Sequence, residues 1–283
     1  MGKADCHIHM VLDGKDWKAA IRRHEQAPRE GEIRQILASY AGAGYTYLRD
    51  GGDRWGVGAA ARSLAKEYGI CYRTPLAPLC NLGHYGKFIG KTYEKPADFA
   101  RLVAQQRDMG ADFVKIMISG LMDFDRFGVL TEEGLEPGLI RELIHIAHEE
   151  GMAVMAHGNG AGTVRAAAEA GVDSIEHGAY LDEAALQAMK DNGTVWVPTL
   201  STIGNLRGKG RFAERAVEQI LDSAMENVAR FGAMGGWIAP GSDAGAWAVE
   251  HGCQTEEALL AQALGEKTRA VLEAGTGKIQ EKF

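Results

Sequence analysis

Short apolar runs alternate with longer amphipathic stretches along the whole chain, and this pattern is typical of strands followed by helices. The runs interpreted as strands are 5–9, 45–49, 69–77, 112–117, 152–156, 174–176, 194–198 and 237–240. The stretches interpreted as helices are 16–24, 30–42, 56–68, 97–109, 137–150, 161–170, 182–191 and 211–232, followed by two more near the carboxyl terminus. The pattern therefore predicts eight strands, each followed by a helix.

Glycine ends many of these helices, as expected where the chain leaves a helix in a left-handed conformation. The glycines in this position are Gly44, Gly69, Gly110, Gly151, Gly171 and Gly193. Eight repeats of strand, helix and turn predict an α/β fold, a (β/α)8 TIM barrel, as one domain over residues 1–283. The alternative is an open doubly wound sheet, which is disfavoured because no Gly-x-Gly-x-x-Gly follows the first strand.

Composition and charge argue against some classes of function. Of 283 residues, 46% are hydrophobic and 24% charged, as in ordinary globular enzymes. A net charge of -7 argues against nucleic-acid binding, and no apolar run has membrane-spanning length. Because the first strand starts almost at Met1, we expect no signal peptide, a cytoplasmic location and reduced cysteines. Cys6 is expected to face the surrounding helices.

Polar residues occur at the carboxyl ends of several predicted strands, where barrel enzymes carry their chemistry. His7 and His9 alternate in the first strand, so both imidazoles are expected on one face, with Asp5 beneath them. The other residues of this kind are Lys115, His157, His177 and Asp243. Imidazoles and a carboxylate gathered on one rim predict a metal site.

Each residue also has a plain structural interpretation. His157 and His177 fit hydrogen-bonded core histidines, and Asp243 fits a turn or a helix cap. Lys115 is the most informative, because a lysine in a buried strand is costly without a partner, a depressed pKa or a chemical modification. If there were no metal site, every one of these separate structural roles would have to be true at once. The metal site is therefore the favoured interpretation.

The combined pattern resembles the amidohydrolase superfamily over nearly the whole chain. It is most similar to the branch of imidazolonepropionase-like proteins and Xaa-Pro dipeptidase (prolidase) type enzymes. The supporting phrases are Val114-Lys115-Ile116-Met117, Val172-Asp173-Ser174-Ile175-Glu176-His177-Gly178, Val197-Pro198-Thr199-Leu200 and Gly241-Ser242-Asp243-Ala244-Gly245.

The chain departs from that family in two ways. Most members carry a small accessory β-sandwich domain, which we expect this chain to lack. The loop Asn81-Leu82-Gly83-His84-Tyr85-Gly86 matches only loosely the Gly-Gly-His-Gly stretch of the branch, which puts the substrate in doubt. Barrel surface left bare by the missing sandwich would be exposed or covered by a partner subunit, as in a homo-oligomer.

The resemblance implies a binuclear centre of two divalent metal ions. Lys115, carboxylated by CO2, would bridge them as a carbamate; His7, His9 and Asp243 would hold one ion, and His157 and His177 the other. Zinc suits these ligands, and manganese, iron or cobalt are alternatives. A bridging hydroxide would attack the scissile carbonyl, with Asp243 as the catalytic base that passes the proton to the leaving amine.

The implied activity is hydrolysis of a carbon–nitrogen bond in a small molecule, such as a dipeptide or an N-acyl amino acid. His84, Tyr85, Tyr180 and Arg126 are candidate substrate contacts, and Trp55 and Trp247 candidate pocket walls. A lactam, lactone or ester substrate stays open.

Three rival functions are also considered. One is a mononuclear deaminase of the same superfamily, which would usually lack the lysine. Another is an aldolase that uses Lys115 as a Schiff-base nucleophile, which would leave the histidines without a role. The last is a non-catalytic barrel that acts as a binding subunit, which would be marked by lost ligands.

Overall fold

The computed structural model describes residues 2–283, and within them every strand pairing is parallel. The strands are β1 (Lys3–Ile8), β2 (Tyr45–Asp50), β3 (Cys71–Arg73), β4 (Leu79–Asn81), β5 (Lys91–Tyr93), β6 (Val114–Met117), β7 (Val154–Gly158), β8 (Ser174–His177), β9 (Val195–Val197) and β10 (Trp237–Ile238). They form one sheet in the order β1-β2-β3 and a second in the order β10-β9-β8-β7-β6-β4-β5. The predicted α/β class is therefore confirmed.

The helices alternate with the strands, as the hydrophobic pattern predicts. They are α1 (Trp17–His24), α2 (Glu30–Gly42), α3 (Val57–Ala65), α4 (Pro96–Asp108), α5 (Pro137–Glu149), α6 (Ala161–Glu169), α7 (Glu183–Asp191), α8 (Ser201–Gly204), α9 (Glu214–Ala233), α10 (Thr255–Leu264) and α11 (Thr268–Lys282). Three elements are additional to the prediction: β4, β5 and α8. Among the described residues, no helix combines the length and the apolarity that crossing a membrane requires.

Local chemistry explains where several helices begin. The Asp16 side chain accepts hydrogen bonds from the backbone N–H groups of residues 18 and 19, and so caps α1. Asp182 caps α7 in the same way through the N–H of residue 185. Pro96 and Pro137 begin α4 and α5, where the missing N–H costs nothing.

Backbone hydrogen bonds join the two sheets. Residues after β10 run beside β1: Cys6 N–H donates to Pro240 O at 2.8 Å, and His9 N–H donates to Ala244 O at 2.7 Å. At the other side the chain continues from β3 into β4, and the Thr74 carbonyl accepts from the N–H of Asp112 at 3.0 Å. The strand ends of both sheets therefore meet in one region.

An irregularity in β1 changes which side chains face that region. The pairing of β1 with β2 shifts between Asp5 and Ile8, which is the mark of a β-bulge. The expectation that Cys6 faces the helices is therefore wrong. Cys6 packs in an inner apolar cluster with Tyr47, Phe113, Met155, Val195, Val197, Ala239, Ile279 and Phe283.

The bulge also moves Asp5 away from the place expected beneath the histidines. Its carboxylate instead accepts hydrogen bonds from the Ser242 backbone N–H at 2.9 Å and from the Ser242 hydroxyl at 2.5 Å. Asp5 therefore fastens β1 to the segment that carries Asp243.

Candidate metal centre

Six side chains predicted as metal ligands converge at the carboxyl ends of the strands. They come from five separate segments: β1 and the residue after it, β6, β7, β8 and the loop after β10. The six are His7, His9, Lys115, His157, His177 and Asp243.

His7, His9 and Asp243 form one half of this group. The Nε2 atoms of the two histidines lie 3.4 Å apart. Oδ1 of Asp243 lies 3.4 Å from Nε2 of His7 and 3.3 Å from Nε2 of His9. This spacing suits three ligands around one cation with bonds of about 2.0–2.2 Å.

His157 and His177 form the other half. Their ring centroids lie 4.6 Å apart, and the His177 ring lies 5.1 Å from that of His7. Nitrogen or oxygen atoms of His7, His177 and Asp243 all lie within 4.8 Å of one another. The two halves are therefore contiguous.

Lys115 is buried beside this group without a partner. It is 1% exposed, and its Nζ has no hydrogen bond among the described residues. Burial lowers the pKa of the Lys115 amine to about 8. Oδ1 of Asp243 is likewise buried without a hydrogen bond. A buried amine and a buried carboxylate oxygen that form no hydrogen bond are what a site built for a further group would present.

Three of these histidines are held neutral. Burial, assisted by the nearby Lys115 charge, lowers the pKa of His7 to about 4 and that of His157 to about 3. Burial and the neighbouring His157 hold the pKa of His177 well below its usual value. Neutral imidazole is the form that binds metals.

A buried carboxylate orients His7. Oε2 of Glu176 lies 2.7 Å from Nδ1 of His7, and its Oε1 accepts from the Arg49 guanidinium at 2.8 Å and from the Ser174 hydroxyl at 2.6 Å. Although burial raises the pKa of Glu176, Arg49 and His7 lower it to about 2. Nδ1 of His7 therefore carries the proton, and its Nε2 lone pair faces His9 and Asp243.

The imidazoles of His157 and His177 are oriented through single contacts. Nε2 of His157 faces the Gly120 carbonyl at 3.2 Å, so this nitrogen carries the proton and Nδ1 is left with the lone pair. Nδ1 of His177 lies 2.7 Å from the Thr199 hydroxyl, which leaves its Nε2 free.

Two glycines leave room for the imidazoles. A Cβ atom at Gly51 would lie 2.3 Å from Cε1 of His9, and one at Gly241 would lie 2.9 Å from Cβ of His7. The loops after β2 and β10 can therefore approach the histidines only with glycine at these positions.

A cavity of about 620 Å³ opens above the group and is bounded by His9, His177 and Asp243. Most of its wall is apolar. The aromatic residues that line it are Trp17, Tyr85, Phe88, Phe124, Phe212 and Trp247. Space for a small organic molecule with a large apolar part therefore adjoins the candidate ligands.

Of the four residues predicted to contact the substrate, one lines the cavity and three do not. Tyr85 lines the cavity, with its ring 4.9 Å from that of His157. His84, Tyr180 and Arg126 do not line it. His84 faces Glu132 at 3.5 Å, and the mainly exposed Arg126 donates to Asp123 at 2.7 Å. Tyr180 packs against the exposed ring of Phe127.

Of the two tryptophans suggested as pocket walls, Trp247 lines the cavity and Trp55 does not.

The sequence analysis missed three residues at this site: Glu176, Arg49 and Arg211. Glu176 stands next to His177 within a phrase already singled out, so its position was a usable signal. Arg49 ends an apolar run just as Lys115 interrupts one, and the same cost of burial could have identified it. Arg211 begins the helix predicted over 211–232, whereas α9 begins at Glu214, so the hydrophobic pattern gave Arg211 no separate role.

No protein-family model matches the chain. An uncharacterized protein of Mycobacterium bovis is 30% identical over 142 residues, which span 48% of this chain and 38% of that protein. Ochratoxinase of Aspergillus niger is 31% identical over 109 residues, which span 36% of this chain and 21% of that enzyme. The matched part is thus less than half the length of either relative.

Solved structures match almost the whole chain. A Xaa-Pro dipeptidase with methionine in its active site superposes with a TM-score of 0.81 at 24% identity, covering 99% of this chain and 75% of that one. A. niger ochratoxinase gives 0.81 at 20% identity, covering 99% and 71%. A protein described as an amidohydrolase gives 0.78 at 19% identity, covering 99% and 74%. The chain thus shares the fold of these proteins, as the resemblance noted in the sequence implies.

Proposed function

We propose that this chain is a metal-dependent hydrolase that cleaves a carbon–nitrogen bond in a small substrate, such as a dipeptide or an N-acyl amino acid. The observation that carries the proposal is the convergence of four imidazoles, the Asp243 carboxylate and the partnerless Lys115 amine in one buried group beside a cavity.

We further infer that the strands close into a single (β/α)8 barrel. The hydrogen bonds between β1 and the residues after β10, and those near Thr74, support closure at both sides. In such a barrel the carboxyl ends of the strands form one mouth, where the chemistry of the fold is carried out.

The donor set fits two divalent cations. His7, His9 and Asp243 would hold one, and His157 and His177 the other, with zinc the metal that best suits nitrogen and carboxylate ligands. Lys115, with its lowered pKa, is neutral often enough to react with CO2, and the resulting carbamate would replace a costly buried cation by an anion. When bound, such metals lower the pKa of water and polarise a carbonyl.

The residues of the chain supply the proton transfers and the positioning. Although burial raises the pKa of Asp243, the neighbouring His7 and His9 lower it, so the carboxylate is charged and able to accept a proton. Asp243 would take a proton from the attacking water and deliver it to the nitrogen of the leaving amine. Glu176 and Arg49 would hold His7 in place during this exchange.

An activity screen with a matched variant tests this function. The chain, reconstituted with zinc and bicarbonate, is offered dipeptides, N-acyl amino acids, lactones and ring amines, and the release of amine, acid and ammonia is measured. We expect amine release from at least one amide, and a loss of 1,000-fold or more, an order-of-magnitude figure for a lost proton carrier, in Asp243→Asn. Asp222→Asn, on the exposed side of α9, should keep full activity.

Other outcomes of the screen would overturn the proposal. Hydrolysis of lactones alone would indicate a lactonase, and ammonia release from a ring amine a deaminase. Trapping of a carbonyl substrate on Lys115 by borohydride would indicate an aldolase.

A further inference from the structure

The cavity contains one cation that the mechanism does not use. Arg211 lines its rim, between α8 and α9. Its guanidinium carbon lies 4.2 Å from the ring centre of Trp247 and 5.3 Å from that of Phe212. Within residues 2–283, this guanidinium forms no ion pair and no hydrogen bond, so its five N–H donors are available.

Two acidic residues line the same cavity. Asp243 belongs to the candidate metal centre, and Asp123 does not neutralise Arg211. Asp123 accepts from Nε of Arg126 at 2.7 Å, and this hydrogen bond lowers the pKa of the Asp123 carboxyl. Arg126 therefore compensates Asp123, and Arg211, an exposed side chain at the rim, keeps no charged partner within residues 2–283.

Aromatic rings from separate loops surround this charge. Phe212 lies between Phe124, at 5.2 Å, and Trp247, at 6.2 Å between ring centres. A second group, formed by Trp17, Phe88 and Tyr85, lines the cavity near His157. The cavity thus presents two apolar surfaces. Arg211 lines the cavity beside the first, whereas the cation beside the second, Lys18 over the ring of Trp17 at 5.3 Å, does not line it.

We propose that Arg211 binds the carboxylate of the amine half of the substrate, and that the ring group Phe124–Phe212–Trp247 takes a bulky apolar side chain of that half. A guanidinium held against an aromatic ring is well suited to pair with a planar carboxylate. The inference rests on the proposed function and narrows its substrates to N-acyl amino acids with large apolar side chains.

The orientation follows from the position of Asp243. The Ala246 N–H donates to the Asp243 carbonyl at 2.9 Å, and Trp247 comes next in the chain. Because Asp243 would deliver the proton to the leaving nitrogen, the amine half lies on the Trp247 side. The acyl half then lies against Trp17, Phe88 and Tyr85.

Two probes that share one scissile bond test the proposal. N-benzoyl-L-phenylalanine carries the carboxylate, and N-(2-phenylethyl)benzamide lacks it, while both release benzoate on hydrolysis. We expect the zinc-loaded chain to prefer the acid roughly 10- to 100-fold in kcat/KM, the range for a charged hydrogen bond. Arg211→Met should remove this preference mainly through a higher KM for the acid, and Arg211→Lys should restore part of it.

The control is Arg215→Met, because Arg215 is an exposed arginine outside the cavity. It should keep the preference of the unaltered chain. Equal loss on both probes in Arg211→Met would indicate a structural role and overturn the proposal. The proposal would also be overturned if the unaltered chain cleaved both probes equally well, or cleaved other amides but neither probe. In both cases the proposed function itself would stand. Failure on every amide would contradict the proposed function itself.

Discussion

At the scale of single residues, the account depends on what orients the ligands. Glu176 connects Arg49 to His7, and all three side chains are fully buried. Removing one partner from such a group leaves an uncompensated charge in the interior. We predict that Glu176→Gln lowers the free energy of unfolding by about 3 kcal/mol and zinc affinity by roughly 10- to 100-fold. Chemical denaturation and competition with a chelator measure the two effects.

An exposed ion pair provides the control for Glu176. Glu67 pairs with Arg34 at the surface. Glu67→Gln should have the same stability and the same zinc affinity as the unaltered chain. If Glu176→Gln behaved like Glu67→Gln, the claim that this carboxylate positions His7 would be wrong.

The residue scale also shows what sequence can and cannot predict. His157, His177 and Asp243 were identifiable because each follows an apolar run, and strand ends of a parallel sheet meet. Glu176 and Arg49 act together across 127 positions of the chain, and no local pattern reports that pairing. The alternation rule failed at Cys6, because a bulge adds one residue to the strand and reverses the faces that follow.

At the scale of elements, α10 carries a buried acid at its amino-terminal end. Glu256 accepts from the Ser201 backbone N–H at 2.7 Å and from the Ser201 hydroxyl at 3.1 Å, while its Oε1 has no partner. Burial raises the pKa of Glu256 from 4.5 to about 8. The folded chain therefore keeps this proton to higher pH than the unfolded chain does.

The pH dependence of stability follows from that shift. Below pH 4.5 Glu256 is protonated in both the folded and the unfolded chain. Between pH 4.5 and 8 it loses its proton in the unfolded chain but keeps it in the folded chain. We predict that the contribution of Glu256 to stability falls by up to about 5 kcal/mol as pH rises through this range. Glu256→Gln should remove this fall, seen as the difference between variant and unaltered chain in denaturation at pH 4.5 and 8.5.

The adjacent residue is a matched control. Glu257 is partly exposed, pairs with Lys3 and accepts from the Tyr45 hydroxyl at 3.3 Å. Glu257→Gln should reproduce the pH dependence of the unaltered chain. If the stability of Glu256→Gln depended on pH as that of the unaltered chain does, Glu256 would not hold its proton in the folded state.

Most helices were predicted more accurately than the shortest strands. The helices α2, α4, α5 and α6 agree with the hydrophobic pattern to within one residue at each end. The strands β4 and β5 have three residues each and lie in a stretch rich in glycine and loop residues. Three residues are too few to show a period, so these strands become visible only through their pairing.

At the scale of the whole molecule, Phe283, the residue after α11, packs against the side chains that hold His7 of the candidate metal centre. The Phe283 ring lies 4.4 Å from the Arg49 guanidinium carbon and packs against Phe113 at 5.2 Å. Arg49 in turn holds Glu176. The carboxyl-terminal residue thus packs against the group that orients His7.

Removal of this ring should weaken the entire fold. We predict that Phe283→Ala costs about 3 kcal/mol of unfolding free energy, the order expected for a buried phenylalanine. Phe127→Ala should cost far less, because that ring is 46% exposed. Thermal and chemical unfolding measure both, and equal costs would contradict a buried role for Phe283.

The sequence predicted the general architecture but not these long-range contacts. Alternation of apolar and amphipathic stretches determines the order of strands and helices, and parallel pairing follows from the helices between them. The contacts of Phe283 with Arg49 and of Asp5 with Ser242 join opposite ends of the chain. Such contacts depend on the final packing, which no local pattern encodes.

Anomalous diffraction from crystals of the zinc-loaded chain tests the central claim most directly. We predict two zinc peaks, one about 2.0–2.2 Å from the ligand atoms of His7, His9 and Asp243 and one beside His157 and His177, with extra density on Lys115 Nζ between them. Zinc found only at the surface, or a buried group without zinc beside an unmodified Lys115, would contradict the account.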